Sequence, residues 1–254
     1  YLKSARGRAN LDIRTRALAE RLLLDGKRVS GIEYRHKGGV QRVYASQAVV
    51  LCGGSINSPQ LLELSGIGNG ALLAPLGIET NHELPGVGEN LQDHLTVHVQ
   101  QGLRNTGTFF EETRALGLIR NALRFGFKRQ GLLIHPACQA GAFLRSSADV
   151  TRPDAQIHYT PAAGRLNAAG RIYTVPGTTA TVCNLRPSSR GSVHIRTPFP
   201  DYPPAIRANY LSTEEDRRVT IEAVKRVREI FASSVFDGFR DDEILPGPHC
   251  DSDE

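Results

Sequence analysis

The sequence predicts a mixed α/β chain whose second part is α+β. Three observations carry this. Residues 47–52 include the unbroken apolar run Ala48-Val49-Val50-Leu51, ended by Gly53-Gly54 and followed at once by a helix-forming stretch. Short apolar segments on either side are separated by tight-turn signals, as strands are. Later stretches repeat apolar residues at steps of three and four, the helical period.

Residues 10–46 read as a strand meander. Leu11 and Ile13 alternate with polar neighbours, and Asp25-Gly26 marks a tight turn between ALAERLLL and KRVSGIEYR. Gly38-Gly39 marks a second turn before VQRVYA. The apolar run ending at Cys52 is expected to be a strand buried on both faces. In the stretch CGGSINSPQLLELSGIG, Gly53 and Gly54 free the backbone to turn and to approach another group closely. Ser58 is expected to cap a short helix, with Pro59 at its first position and Gly66 at its end. Leu61, Leu62 and Leu64 form its apolar side. Such a helix start offers free N–H groups and partial positive charge, which suit a phosphate or another anion.

Residues 71–76 close this helical region before Gly77, and HELPGVGENLQDH is loop-like because Pro85, Gly86 and Gly88 break any regular element. Beyond it, Leu116, Ile119, Leu123 and Phe127 predict an amphipathic helix. ACQAGAFLRS and DAQIHYTPA read as strands, and TTATVCNLRPSSRGSVHIRT reads as two strands joined by a turn, which suggests a mainly antiparallel sheet. Ser212 to Glu215 has the Ser-x-x-Glu form of a capping box opening a helix, with Val224, Val227 and Phe231 as its buried stripe.

With 254 residues, 40% apolar and 22% charged, the chain can bury a core and hold one large domain or two ordinary ones. The net charge of +5 is spread among acids, so no nucleic-acid footprint is read. Cys52, Cys138, Cys183 and Cys250 stand far apart, with neither C-x-x-C nor zinc spacing. They are read as buried or idle thiols; no metal site is assigned and a reducing, cytoplasmic setting is expected. No apolar run nears the ~20 residues that span a bilayer, and no signal peptide is read at the start. The chain lacks methionine, opens on Tyr1 and closes on HCDSDE, which reads as a fragment of a longer protein.

The stretch 52–68 resembles the second signature of the glucose-methanol-choline (GMC) oxidoreductases, flavoproteins that use FAD to oxidise alcohols. Gly54, Ser55, Ser58, Pro59, Leu61, Leu62, Ser65, Gly66, Ile67 and Gly68 carry that likeness. NLDIRTRALAERLLLDGKRVSGIEYR upstream, ELPGVGENLQDH downstream and the stretch from RPSSRGSVHIRT to REIF are similar to the family as well. The resemblance runs from about Tyr1 to about Phe236. It implies a partial, Rossmann-like FAD-binding domain over 1–96, a substrate-binding domain over 97–240, and the start of a return to the FAD domain over 241–254. It further implies that the dinucleotide fingerprint precedes Tyr1 and that the catalytic histidine follows Glu254. No catalytic residue is therefore assigned within the chain, and no turnover is expected from it alone.

The same resemblance places the cofactor. Ala19 stands where the family commonly has a valine whose backbone meets adenine, though a packed strand residue is an equal reading. Gly53, Gly54 and Ser55 follow the expected strand beside FAD, and Asn90, Asp93 and His94 lie in a loop near the flavin. Read from its neighbours, His94 is a structural hydrogen-bonder, since no adjacent Ser or Cys gives it a nucleophile to activate. His98, His135 and His158 do not match the family's catalytic motif. In choline-acting members an acidic side chain stands where this chain has Gln139, just before Ala140-Gly141-Ala142-Phe143. An amide carries no charge to offset a buried ammonium, so a neutral primary alcohol is the expected substrate class.

Alcohol oxidation by a flavin needs a base, a hydride acceptor and a pocket that holds the alcohol carbon. The expected function is an FAD-dependent oxidoreductase acting on the CH–OH group of a primary alcohol. The alternative is a non-redox use of the scaffold, as a lyase that keeps FAD structurally or as a degenerate binding protein. A nicotinamide-dependent Rossmann enzyme is disfavoured, because the nucleotide fingerprint in this chain is of another kind.

Overall fold

The structure is a computed structural model, and it describes residues 2–134, 136, 138–166, 169 and 171–253. Tyr1, His135 and Glu254, which the sequence reading invoked, lie outside the described residues. In chain order the elements are α1 (Leu2–Ala5), β1 (Ala17–Asp25), β2 (Arg28–His36), β3 (Gly39–Tyr44), α2 (Gly54–Leu64), β4 (Ile67–Gly68), α3 (Gly70–Leu73) and β5 (His82–Glu83). There follow β6 (Thr96–Leu103), α4 (Phe109–Glu112), α5 (Ala115–Lys128), β7 (Ala140–Leu144), β8 (Ala155–Thr160), β9 (Ala163–Leu166), β10 (Ile172–Val175) and β11 (Gly177–Asn184). The chain ends with β12 (Ser192–His194), β13 (Ala205–Arg207), α6 (Glu214–Ala232) and β14 (Arg240–Leu245). These elements form two compact units: residues up to Gln92 with Arg190–Asn209, and Asp93–Ser189 with residues from Tyr210 on.

In the first unit, β1, β2 and β3 form the antiparallel meander. Its turns fall one residue away from the glycine signals. Asp25 pairs with Arg28, so Gly26-Lys27 makes the first turn, and His36 pairs with Gly39, so Lys37-Gly38 makes the second. Lys37 and Gly38 both have positive φ (52° and 81°), as a turn that follows the strand twist requires. Leu11 and Ile13 lie in extended chain before β1 and join no ladder.

The run 48–52 does not form the expected strand. A strand exists through its partners, and no described residue pairs with this one; Val50 is 79% exposed. Val49 and Leu51 still pack on the small core of Leu22, Ile67 and Val87.

Helix α2 also differs from expectation, beginning at Gly54 with Gly53 as its cap rather than at Ser58 and Pro59. The glycine pair supplies the turn itself, so the helix starts straight after it. Pro59 then sits inside the helix, early enough that its missing N–H leaves only the Ser55 carbonyl without its usual partner. Gly66 (φ 73°) follows the helix end, and a Cβ there would stand 2.3 Å from the Glu79 carbonyl oxygen. Ile67 and Gly68 then pair parallel with His82 and Glu83.

The second unit is built on an antiparallel sheet in the order β14-β6-β11-β8-β7. Helix α6 covers one face, packing Val219, Ala223, Val227 and Phe231 against Val99, Ile157, Ala180 and Val182. Its N-cap is Thr213, one residue beyond the expected Ser212, and Thr213 Oγ1 accepts from the Asp216 N–H. The Ser-x-x-Glu box does not form, because the third helical position is taken by Asp216. Its buried carboxylate accepts from the Ser188 and Ser189 N–H groups at 2.8 Å each and from Asn184 Nδ2 at 3.1 Å. Burial pushes that carboxyl up, but hydrogen bonds from Ser189 and Ser188 outweigh it and hold the pKa at about 2. The two strands read from TTATVCNLRPSSRGSVHIRT do form, as β11 and β12, but they do not pair. β11 lies between β6 and β8, while β12 pairs with β13 in the first unit.

Candidate functional site

In the first unit, a cleft of about 630 Å³ opens beside the start of α2. Ala19 on β1 and Gly53 at the helix cap both line it. Its walls are apolar at Leu51, Leu61, Leu64 and Ile206, with polar groups at Asn57, Ser58 and Gln60. Gly53 makes no side-chain cap bond, so the first N–H groups of α2 have no capping side chain. Apolar walls beside uncapped helical N–H groups are the donor set that a nucleoside with an attached phosphate needs. FAD has such an end, and Ala19 and Gly53 are the residues that would meet it.

The neighbouring glycine has a different reason to be there. A Cβ on Gly54 would meet nothing within 4 Å, so space is not what the position demands. Its φ of 74° is the constraint. Gly54 and Ser55 begin the helix, do not line the cleft and are exposed. Asn90, also exposed, takes φ 64° in the loop after Gly88.

Sequence reasoning missed a pair of residues that fix this unit. Glu63 is 1% exposed, and its two oxygens reach His194 Nδ1 (2.7 Å) and the Ile195 N–H (2.8 Å). The other ring nitrogen of His194 meets Glu89 at 3.0 Å. Both imidazole nitrogens face carboxyl oxygens, so both must carry protons for the two bonds to form together. Burial lowers the His194 pKa, but the hydrogen bonds and charges of Glu63 and then Glu89 outweigh it, and the net shift is upward. Gly88 makes room: its own Cβ would stand 2.3 Å from the Val193 carbonyl and 2.7 Å from His194 Nδ1. One signal was available, a glutamate set among Leu61, Leu62 and Leu64. Its partner is 131 residues away and could not be read.

In the second unit, Asp93 and His94 are tied into the protein. Asp93 accepts from the His94 N–H (2.9 Å) and from the Tyr210 hydroxyl (2.5 Å), and its hydrogen bond and charge raise the Tyr210 pKa. His94 Nε2 meets the Leu185 carbonyl at 3.2 Å and so carries the proton there.

The sheet face opposite α6 carries a different chemistry. Side chains alternate along a strand, and Val99, Ala180, Val182, Ala155 and Ile157 pack on the helix side. Residues His98, Gln100, Thr179, Thr181, Gln156, His158 and Phe143 therefore point the other way. Gln139, just before β7, is exposed and donates its N–H to the Tyr159 carbonyl at 2.9 Å. Thr181 is paired with both His98 and His158, and its hydroxyl meets His98 Nδ1 at 2.8 Å. On this face β6, β11, β8 and β7 present no carboxylate. Among the described residues, no cluster of three or more His, Cys, Asp or Glu could hold a metal.

Comparison with known proteins bears on both units. Residues 1–96 and 187–254 match the N-terminal and C-terminal parts of the family described as GMC oxidoreductase. The chain is 37% identical over 254 residues to an oxygen-dependent choline dehydrogenase of Chromohalobacter salexigens and 40% identical over 258 residues to the mitochondrial choline dehydrogenase of Homo sapiens. All of this chain is matched in both, against 45% and 43% of the relatives, so it spans under half of their length. Among solved structures, pyridoxine 4-oxidase from Mesorbium loti is similar with a TM-score of 0.78 and 28% identity, covering 99% of this chain and 45% of that one. A fungal aryl-alcohol oxidase shares the fold (TM-score 0.80, 20% identity, 99% of this chain and 50% of that one).

Proposed function

The chain belongs to the GMC oxidoreductase family, and from that membership we propose that it is part of an FAD-dependent enzyme that oxidises the CH–OH group of a primary alcohol. The observation that carries this reading is the cleft at the start of α2, where the glycine turn of the family signature and Ala19 come together. FAD, when bound, supplies the two-electron acceptor for the alcohol carbon. Ala19 and Gly53, which line the cleft, would hold its nucleotide end, with Gly54 and Ser55 contributing from the adjoining helix start outside the cleft and Asn90, Asp93 and His94 nearer the flavin. We assign residues 1–96 to the FAD-binding domain, 97–240 to the substrate-binding domain and 241–254 to the start of the return, while by packing residues 190–209 fall in the first compact unit and β14 in the sheet of the second. Gln139 lies in the substrate pocket. The compartment is cytoplasmic in this reading; among the described residues no helix is long and apolar enough to cross a membrane.

Two substrates compete. The relatives named choline dehydrogenases favour choline. The carboxylate-free face around Gln139 favours a neutral primary alcohol, since a buried ammonium needs an anionic partner. We assign the neutral alcohol. Measured on the protein at its natural length, kcat/KM for a neutral alcohol of choline's size should exceed that for choline. Gln139→Glu should shift the ratio toward choline by roughly tenfold or more, an unpaired buried charge costing several kcal/mol. A parent that already prefers choline overturns the substrate assignment.

A further inference from the structure

Helix α5 turns its apolar stripe outward. Leu116, Ile119, Leu123 and Phe127 share one side of the helix and are 81%, 57%, 54% and 85% exposed. The opposite side is held by an amide rather than by leucines. Asn121 is 2% exposed, donates to the Glu112 and Gly117 carbonyls at 3.1 and 3.0 Å, and accepts from the Leu132 N–H at 3.3 Å. A surface helix normally buries its apolar stripe and exposes its polar one. Here the arrangement is reversed. Four large apolar side chains side by side are a patch, unlike the single exposed leucines every surface carries.

Cations run along one edge of the stripe. Arg120, Arg124 and Lys128 recur at steps of four, and α5 itself contains no acid. The acids just before it are engaged: Glu111 closes the Thr108 cap, and Glu112 accepts from Arg120 (2.5 Å) and Asn121 (2.6 Å). Arg114 lies over the Phe110 ring and Arg129 over the Phe125 ring, each guanidinium within 5 Å of the ring centre. Among the described residues, the side chains of Arg124 and Lys128 make no hydrogen bond or ion pair, and the Arg124 charge reaches Glu112 only at longer range, where it helps to lower that carboxyl's pKa. Between these two cations and the apolar stripe runs a cleft of about 480 Å³, walled by Leu123 and Phe127, by Arg124 and Lys128, and by Gln130 and Gly131.

We propose that α5 docks the protein on an anionic lipid surface. The helix lies in the plane of the interface, with Leu116, Ile119, Leu123 and Phe127 in the acyl boundary and Arg124 and Lys128 at the phosphates. Its length fits only that orientation. Fourteen residues make about 21 Å of helix, short of the ~30 Å hydrocarbon core. The charge pattern selects the partner. A neutral apolar groove on another protein would accept the stripe and leave both cations unused. A bilayer rich in phosphatidylglycerol meets stripe and cations together.

The test is flotation of the natural-length protein with vesicles of pure phosphatidylcholine and of phosphatidylcholine containing phosphatidylglycerol, at low and high salt. The expected result is binding to the anionic vesicles that salt weakens. The pair Arg124→Gln and Lys128→Gln should weaken it by roughly fivefold per cation. The pair Leu123→Glu and Phe127→Glu should remove it, with FAD content and particle size unchanged. No binding by the parent, or binding that these variants leave intact, overturns the proposal. So does loss of FAD or of fold in the Leu123/Phe127 variant, which would mean that the protein's own chain covers the stripe. A parent that is a dimer and a variant that is a monomer would instead assign the stripe to a second copy.

Discussion

Gly54 separates two reasons for a glycine that sequence alone merges. The pair Gly53-Gly54 reads as a close approach to a cofactor, yet a Cβ on Gly54 meets nothing within 4 Å while its φ is 74°. The demand is on conformation. Gly54→Ala and Gly54→Val should then lose similar stability, roughly 1–2 kcal/mol, and lower the melting temperature by several degrees. Gly54→Asn should lose less, because asparagine tolerates the left-handed region. Thermal unfolding of the three variants checks this; a Val variant far worse than the Ala variant would show that space is the constraint after all. Other residue assignments were only partly legible. Ala19 and Gly53 meet in one cleft, but Glu63 and His194 gave no joint signal because the fold, not the spacing, brings them together.

At the scale of elements, the helices were easier to read than the ends that bound them. Period and apolar content located α2, α5 and α6, whereas their N-caps moved by one residue in α6 and by five in α2; in α6, Asp216 claims the position that Glu215 was expected to fill. The run 48–52 has a strand's composition and no ladder, since β structure needs a partner that composition does not supply. The β12–β13 pair is joined to the rest of its unit in part through His194, which faces Glu63 and Glu89. His194, with its raised pKa, stabilises the folded state fully below about pH 6.5 and loses that contribution as pH rises through the raised value. The stability gap between the parent and His194→Gln should therefore be widest below about pH 6.5 and narrow as pH rises through the raised His194 pKa, in denaturant unfolding. His194→Ala should be worse than Glu63→Leu, because the first strands a buried carboxyl and the second removes it, by a margin on the order of 2 kcal/mol. A gap that is constant with pH, or the reverse order of the two variants, contradicts the ionic account.

For the whole molecule, mixed α/β class and family membership were legible because the signature 52–68 and its flanking stretches are contiguous in sequence. The division into units was less so. Residues 190–209 interrupt the second unit to complete the first, tied there by the contacts of His194 and Ile195 with Glu63, of Val193 with Gly88 and of Tyr202 with Gln60, which no sequence spacing announces. The central claim is that this chain serves flavin-dependent alcohol oxidation, and one measurement reaches it directly. The natural-length protein is purified, desalted and mixed under anaerobic conditions with a neutral primary alcohol and, separately, with choline, while the flavin absorbance is followed. The account predicts retained FAD whose oxidised absorbance bleaches on adding alcohol. Protein that holds no flavin, or flavin that stays oxidised with every alcohol, would contradict it, the latter in favour of a non-redox use of the same fold.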